Sequence, residues 1–380
     1  MSAQRKALAA RLCAVAPVCV VLAFLSVAGA AASTTGATSI QAKRDAILAY
    51  VHELQAQKKT LIGVQVNEYE VYIDCTSADR VFEQTGARPA IMGLELMNAI
   101  AVPPYAAYLT DRALTQTAAG GLVTMSWHER NPVEVCPRGE FFDCVKKPMT
   151  ANTFRTVLTK GTPENKLWLA DVDAVAKVLA GLRDRGIVVL FRPYHEMNGG
   201  WFWWGKQDAY PDLWDALYDR LAVYHKLDNL IWVWSPDRDA PDAARYFPRR
   251  HKPDIVGIDV YEDDPDSPKY AAGRANVTAL GGSVPFVLAE VGIVPSSKVL
   301  DGINPAWVLL WGGEYLNADW AWDNKCSGCN TPDRVSALFK LDRTLTLAKM
   351  PASLRATIAA GAVNEHPLHR ENPSCPAKLH

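Results

Sequence analysis

Long apolar runs are almost missing from this chain. Outside Leu12–Val27 no stretch approaches the roughly 18 apolar residues that span a bilayer as a helix, which excludes a multi-spanning membrane protein. An excess of positive charge is missing too. The 40 Lys and Arg stand against 41 Asp and Glu, so nothing here attracts nucleic acid or an anionic membrane. The glycine-rich GxGxxG loop of a dinucleotide fold does not follow the first apolar run, which reads Ile62-Gly63-Val64-Gln65-Val66. There is no internal repeat, no low-complexity tract and no linker beyond the short Ser33–Ser39 stretch, the pattern of one domain rather than several. Neither a His-x-His pair nor a second CxxC accompanies Cys326-Ser-Gly-Cys329, so no metal is expected.

What is present begins with Arg5, Lys6 and Arg11, then the apolar run, then small residues at Ala28, Ala30 and Ala32. That order reads as a cleaved signal peptide over residues 1–32, which makes residues 33–380 a secreted or periplasmic domain. The alternative, a retained anchor, is opposed by the short Leu22-Ala23-Phe24-Leu25 core and by Pro17. Without residues 1–32 the chain keeps 37 basic and 41 acidic residues, a net charge of −4. After removal of the signal no membrane partner is expected, and a neutral polymer is the easier one to imagine. Six cysteines remain, an even number suited to disulfides in an exported chain. Short spacing suggests Cys136–Cys144 and Cys326–Cys329, which leaves Cys75 with Cys375.

Eight short apolar runs recur along the chain: Leu61–Val66, Ala90–Leu96, Gly121–Trp127, Ile187–Arg192, Leu230–Trp234, Ile255–Val260, Val284–Ala289 and Trp307–Trp311. Amphipathic stretches lie between several of them, among them Ala42–Gln57, Leu169–Arg183, Pro211–His225 and Pro332–Leu347. Runs such as Ile187-Val188-Val189-Leu190 are apolar without alternation, the mark of strands covered on both faces. An α/β fold with eight such units predicts a single (β/α)8 TIM barrel.

In such a barrel the working residues sit where strands end. Strand four runs into Arg192, His195 and Glu196, and Glu290 follows Ala289 at the end of strand seven, 94 residues later. Two carboxyls facing each other across a barrel mouth are what hydrolysis of a glycosidic bond needs: one protonates the leaving oxygen and the other attacks the anomeric carbon. Carboxyls about 5–5.5 Å apart give retention. Burial among Trp201, Trp203 and Trp204 is expected to keep Glu196 protonated, while donors such as Arg192 or Tyr261 keep Glu290 ionised. Trp201 and Trp311 are candidates for stacking on sugar rings; Trp168, Trp214, Trp232 and Trp320 read as core. His128 and His195 stand at strand ends and read equally as structural or functional. Glu129, Asp237, Glu262, Asp263 and Asp264 are acidic alternatives for catalysis, each more simply read as a solvated loop residue. Asn276-Val277-Thr278 matches a glycosylation acceptor.

The run from Phe191 through Arg192-Pro193-Tyr194-His195-Glu196-Met197-Asn198-Gly199-Gly200-Trp201-Phe202-Trp203-Trp204 to Gly205 resembles the signature of glycoside hydrolase family 26, whose best-known members are β-mannanases. The likeness extends through Ser126-Trp127-His128 with Asn131-Pro132, Trp232–Pro236, Gly257–Tyr261 and Ala289–Gly292. The resemblance implies a barrel with Glu196 as acid/base and Glu290 as nucleophile. It implies His128, His195, Trp201, Tyr261 and Trp311 around the sugar, with Tyr261 touching the nucleophile, and no cofactor. Arg192 is added to the substrate-binding set. One departure is Ala289-Glu290-Val291-Gly292, where the pattern leads one to expect Thr-Glu, an aromatic residue and Gly.

The reading that follows is a monomeric, secreted, endo-acting retaining enzyme on a polysaccharide, foremost β-1,4-mannan, glucomannan or galactomannan. Two alternatives stay open: the same chemistry on β-1,3-xylan, mixed-linkage glucan or an exopolysaccharide, or a non-catalytic carbohydrate-binding barrel.

Overall fold

Each of the eight apolar runs forms a strand: β1 Thr60–Gln65, β2 Ile91–Glu95, β3 Leu122–Trp127, β4 Val189–Pro193, β5 Leu230–Trp234, β6 Ile255–Val260, β7 Phe286–Val291 and β8 Trp307–Leu310. They pair in parallel in the order β2-β3-β4-β5-β6-β7-β8-β1, and β1 pairs back onto β2. The sheet therefore closes into a (β/α)8 barrel. A computed structural model provides this description, for residues 38–73, 75–102, 104–137, 141–316, 330–365 and 367. The expected signal peptide, Trp320 and the cysteines 326, 329 and 375 lie outside the described residues.

Alternation along the strands sorts the core into two layers. Leu61, Ile91, Leu122, Leu190, Ile231, Ile255, Val287 and Trp307, one from every strand, belong to one cluster. Only the barrel interior can gather all eight. Their neighbours Ile62, Val123, Val189, Trp232, Val256, Leu288 and Val308 face outward and join the covering helices. The helix Ile40–Ala56 adds Ile47, Tyr50, Val51 and Leu54 to the inner cluster and so closes the barrel floor. Two cations fasten it there. Lys43, 1% exposed, donates to the carbonyls of Gly186 and Ile358 at 2.7 and 2.9 Å. Arg44 reaches the carbonyl of Leu230 and both oxygens of Asp254. Burial pushes the Lys43 ammonium below its ordinary pKa.

Three expectations change. The stretch Pro332–Leu347 is not one helix: it is helical over Pro332–Lys340, and Thr344–Leu345 forms a ninth strand beside the start of β1. The Thr344 hydroxyl bonds to the carbonyls of Leu338 and Leu341, ending the helix. Pro211–His225 divides into an α-helix, Tyr210–Tyr218, and a π-helical turn, Asp219–Tyr224. Asn276 lies in the helix Lys269–Gly281, and its amide nitrogen donates to the carbonyl of Asp239 at 2.6 Å, so the atom that would carry a glycan is engaged. The Cys136–Cys144 disulfide forms as expected; Cys75 is disulfide-bonded to a partner outside the described residues.

Replacing Lys43 by Met keeps the aliphatic stem but strands two carbonyls in the floor. A loss of about 1–3 kcal/mol is expected, read as a lowered denaturant midpoint; an unchanged midpoint contradicts this role for Lys43.

Candidate active site

Regular alternation would point Glu290 outward. Ala289 belongs to the inner cluster, and the next residue on a regular strand faces the helices. The pairing shows why Glu290 does not. Ile258 pairs with Leu288 but Asp259 pairs with Glu290, and β7 has one extra residue against β8 between Leu288 and Val291. This bulge turns the Glu290 carboxyl into the mouth, a common use of bulges beside functional sites. Gly292 follows; a Cβ there would lie 2.6 Å from the Tyr315 ring and 2.8 Å from that of Tyr261, so glycine lets both tyrosines close around the bulge.

Glu290 is buried and held by two donors. Arg192 bonds to Oε1, and the Tyr261 hydroxyl donates to Oε2 at 2.6 Å. Arg192 also donates to Asp259 at 2.9 Å and to Ser235 at 3.3 Å. Burial lifts the Asp259 carboxyl above its ordinary pKa, against the pull of Arg192 and the Ser235 hydroxyl. His195 Nε2 lies 3.9 Å from Glu290 Oε1. Burial first, then the charges of Arg192 and His128, hold its pKa well below the ordinary value; the ring is neutral.

Glu196 lies in the loop beyond β4, not on the strand. Tyr194 and Glu196 both adopt left-handed backbone, with φ of 50° and 55°, which costs non-glycine residues about 1–3 kcal/mol each. The loop is stitched to its neighbour: Glu196 N donates to the carbonyl of Ser235, and the Asn198 side chain exchanges two hydrogen bonds with the backbone of Asp237. Burial pushes the Glu196 pKa up to about 8, helped by Asp259 and Asp237 and opposed by a bond from Trp201. That bond, from the indole nitrogen to Oε2, is 2.6 Å long. Trp203 and Trp204 donate their ring nitrogens to the carbonyls of Glu129 and His195 instead, so of the three expected rings Trp201 is the one that bonds Glu196.

Seven of the eight expected site residues, Glu196, Glu290, His128, His195, Trp201, Tyr261 and Trp311, line one cavity of about 520 Å³. The eighth, Arg192, lies beneath it, 2% exposed, and meets the cavity through Glu290. Of the aromatic run, Trp201 is 37% exposed and Phe202 lines the wall, while Trp203 and Trp204 are core. Among the acidic alternatives, Asp237 lines the cavity but is paired with Arg238. Glu262 is paired with Arg238 and Lys269, Asp263 and Asp264 are exposed, and Glu129 is buried against Tyr194.

Glu95 was missed. It binds His128 Nδ1 at 2.7 Å and the His128 backbone nitrogen at 2.9 Å, and accepts from Ser126. Burial raises its pKa, but His128 and Ser126 outweigh that and hold it below the ordinary value. It ends β2, so the reasoning applied to the later strand ends would have found it. Glu68, Tyr69, Phe142, Glu314 and Tyr315 also line the cavity; they come from connections between strands, some in short helical turns, without a spacing signal. Among the described residues no group of three His, Cys, Asp or Glu is placed to hold a metal, and no helix is long and apolar enough to cross a membrane.

A closed parallel barrel with paired carboxylates and exposed rings at the C-terminal ends of its strands is the (β/α)8 class that works on ligands at that face. The comparisons narrow the class. The chain belongs to glycosyl hydrolase family 26, whose model matches residues 37–346. It is 31% identical over 332 residues to a mannan endo-1,4-beta-mannosidase of Thermothelomyces thermophilus, covering 81% of this chain and 61% of that one. It is 34% identical over 224 residues to the mannan endo-1,4-beta-mannosidase A and B of Caldalkalibacillus mannanilyticus, covering 55% of this chain and 42% of that one. The solved structure of GH26A from Muricauda sp. superposes with a TM-score of 0.70 at 29% identity, covering 81% of this chain and 97% of that one.

A Cβ on Gly199 would lie 2.3 Å from the Trp201 ring, so the ring folds back over a residue that must lack one. Gly199→Ala is expected to lift Trp201 off Glu196 with the fold intact. The Trp201 indole N–H resonance would then move upfield; an unmoved resonance contradicts this.

Proposed function

We propose that this protein is a retaining, endo-acting glycoside hydrolase of β-1,4-mannan, glucomannan or galactomannan, with Glu196 as acid/base and Glu290 as nucleophile. One observation carries the reading: in a single cavity one carboxyl is lifted to about 8 by burial, while the other accepts from a guanidinium and a phenol. The two environments push the pair toward opposite protonation states, the arrangement that separates an acid from a nucleophile. Glu196 gives its proton to the leaving oxygen as Glu290 attacks the anomeric carbon and the glycosidic bond breaks. The resulting glycosyl ester is then hydrolysed by a water whose proton returns to Glu196. The Trp201 bond occupies Oε2, so the transferable proton belongs on Oε1.

The names of the curated relatives favour mannan as the polymer, and Trp201 and Trp311 offer rings for its sugars. The N-terminal basic and apolar pattern supports export with removal of residues 1–32, leaving 33–380 as the catalytic domain, outside the cell or in the periplasm. Every site residue comes from one chain, so a monomer suffices. A carbohydrate-binding barrel would not need a nucleophile held by two donors.

The test is product analysis on mannan, galactomannan, β-1,3-xylan and mixed-linkage glucan, with Glu290→Ala as the inactive control. Manno-oligosaccharides of retained anomeric configuration are expected; activity only on another glycan discards mannan, and silence on all four discards these polymers and leaves an exopolysaccharide or a binding role. Glu196→Ala should lose at least about 100-fold on polymer while still releasing good leaving groups in the first step. Equal losses on both substrates reject its role as acid. Because the acid must hold its proton, turnover of polymer should fall as pH rises through about 8; a flat alkaline limb contradicts this.

A further inference from the structure

Beneath the cavity a second carboxyl sits where the reaction does not use it. Glu129 is 1% exposed and follows His128 beyond β3. Its Oε2 meets the Tyr194 hydroxyl at 2.5 Å, and Oε1 has no hydrogen-bond partner among the described residues. The Tyr194 oxygen also accepts from Trp168 at 3.0 Å, and the Tyr194 carbonyl accepts from Tyr210 at 3.0 Å. Trp203 donates to the Glu129 carbonyl at 2.9 Å. Tyr194 thus has its ring end and its backbone gripped at once, and it is the residue whose left-handed φ begins the turn to Glu196. A bulky residue keeps that conformation only where its surroundings over-determine it.

We propose that Glu129 is a positioning residue for this turn: through the Tyr194 hydroxyl it holds the backbone that aims Glu196 into the cavity. The inference deepens the reading of Glu196 as acid/base and rests on it. It concerns a buried residue that touches no substrate, and the carboxyl works in its neutral form. An ionised carboxylate here would have one bond and aromatic surroundings, whereas a neutral acid is far cheaper to bury. The charged groups facing it are Asp171 and Arg130, already joined to each other by two bonds of 2.8 and 2.9 Å, so Arg130 is not free to neutralise it. Burial, with a further push from Asp171, raises its pKa well above the ordinary value against the pull of Tyr194 and Arg130.

The sign of the pH effect follows. A carboxyl whose pKa is raised by folding stabilises the fold fully below its unfolded pKa, and that contribution drains away as pH rises toward the folded value. Glutamine has no such proton to lose.

Three variants test the inference: Glu129→Ala, Glu129→Gln and Tyr194→Phe, each checked for folding by circular dichroism. On glucomannan, Glu129→Ala and Tyr194→Phe should lower kcat about tenfold or more with KM within about threefold, and Glu129→Gln should recover most of what alanine loses. In thermal unfolding Glu129→Gln should gain on the parent steadily from pH 5 to pH 9. A folded alanine variant with the parent's kcat, or melting curves that stay parallel across pH, overturns the proposal. Should the parent cleave no glycan, the reading of the site fails, and Glu129 is judged on the Trp201 indole N–H resonance. A shift in Glu129→Ala then upholds the positioning role, and an unmoved resonance overturns it.

Discussion

One buried guanidinium organises the mouth of this barrel. Arg192 on β4 reaches Ser235 just past β5, Asp259 on β6 and Glu290 on β7, so a single side chain ties four neighbouring strands where they end. A buried cation is tolerated only when paired, and removing one member of such a set costs about 3–5 kcal/mol. Its charge also sets its neighbours. It favours the anionic form of Glu290, it helps to hold His195 neutral, and it pulls against the burial that lifts Asp259 and Glu196. With one positive charge among three buried carboxyls, burial favours the protonated form of Asp259 and of Glu196. Glu196, whose only side-chain bond among the described residues comes from Trp201, is the most remote of them from that charge by bonding.

The two carboxyls of the proposed mechanism both stand on departures from regular backbone. Glu290 depends on one extra residue in β7, and Glu196 on two left-handed residues. A regular barrel gives alternate residues to the interior and to the helices, which yields a good core but few side chains aimed at one point above it. Convergence on a single atom of substrate needs local exceptions, and the packing around them has to hold them open. That is the physical sense of the cluster beneath the loop: Trp168, Tyr210, Trp203 and Trp204 are core residues, yet their polar atoms fix the Tyr194 hydroxyl, the carbonyls of Tyr194 and His195, and that of Glu129 after β3.

The strands were legible because a short, unbroken apolar run such as Ile187–Leu190 must be covered on both faces, as a strand of a parallel barrel is. The carboxylates were legible because they follow those runs. Ranges were less so. The Pro332–Leu347 pattern keeps helical spacing past Lys340, but the Thr344 hydroxyl and the pairing with β1 decide otherwise, and neither is visible locally. The bulge was hidden for a related reason: Ala289-Glu290-Val291 has no special residue in it, and only the registers of β6 and β8 reveal the extra one. The aromatic run was half legible. Four rings in a row cannot all be buried on one regular face, which marks a site, but which ring is exposed depends on Gly199.

On the proposed reading, the two carboxyls and the outer wall of the cavity are built by different parts of the chain. Arg192 and Glu290 stand on strands, and His195, Glu196 and Tyr261 follow directly after strand ends. The outer wall is made by loops: Phe142 rides on a five-residue helix pinned by the Cys136–Cys144 bridge, Tyr69 belongs to the β1 loop, and Glu314 and Tyr315 follow β8. None of these wall residues belongs to the inner cluster. The two carboxyls of the proposed mechanism thus depend on the barrel, whereas Tyr69, Phe142 and Glu314 are set by the chain beyond the strands.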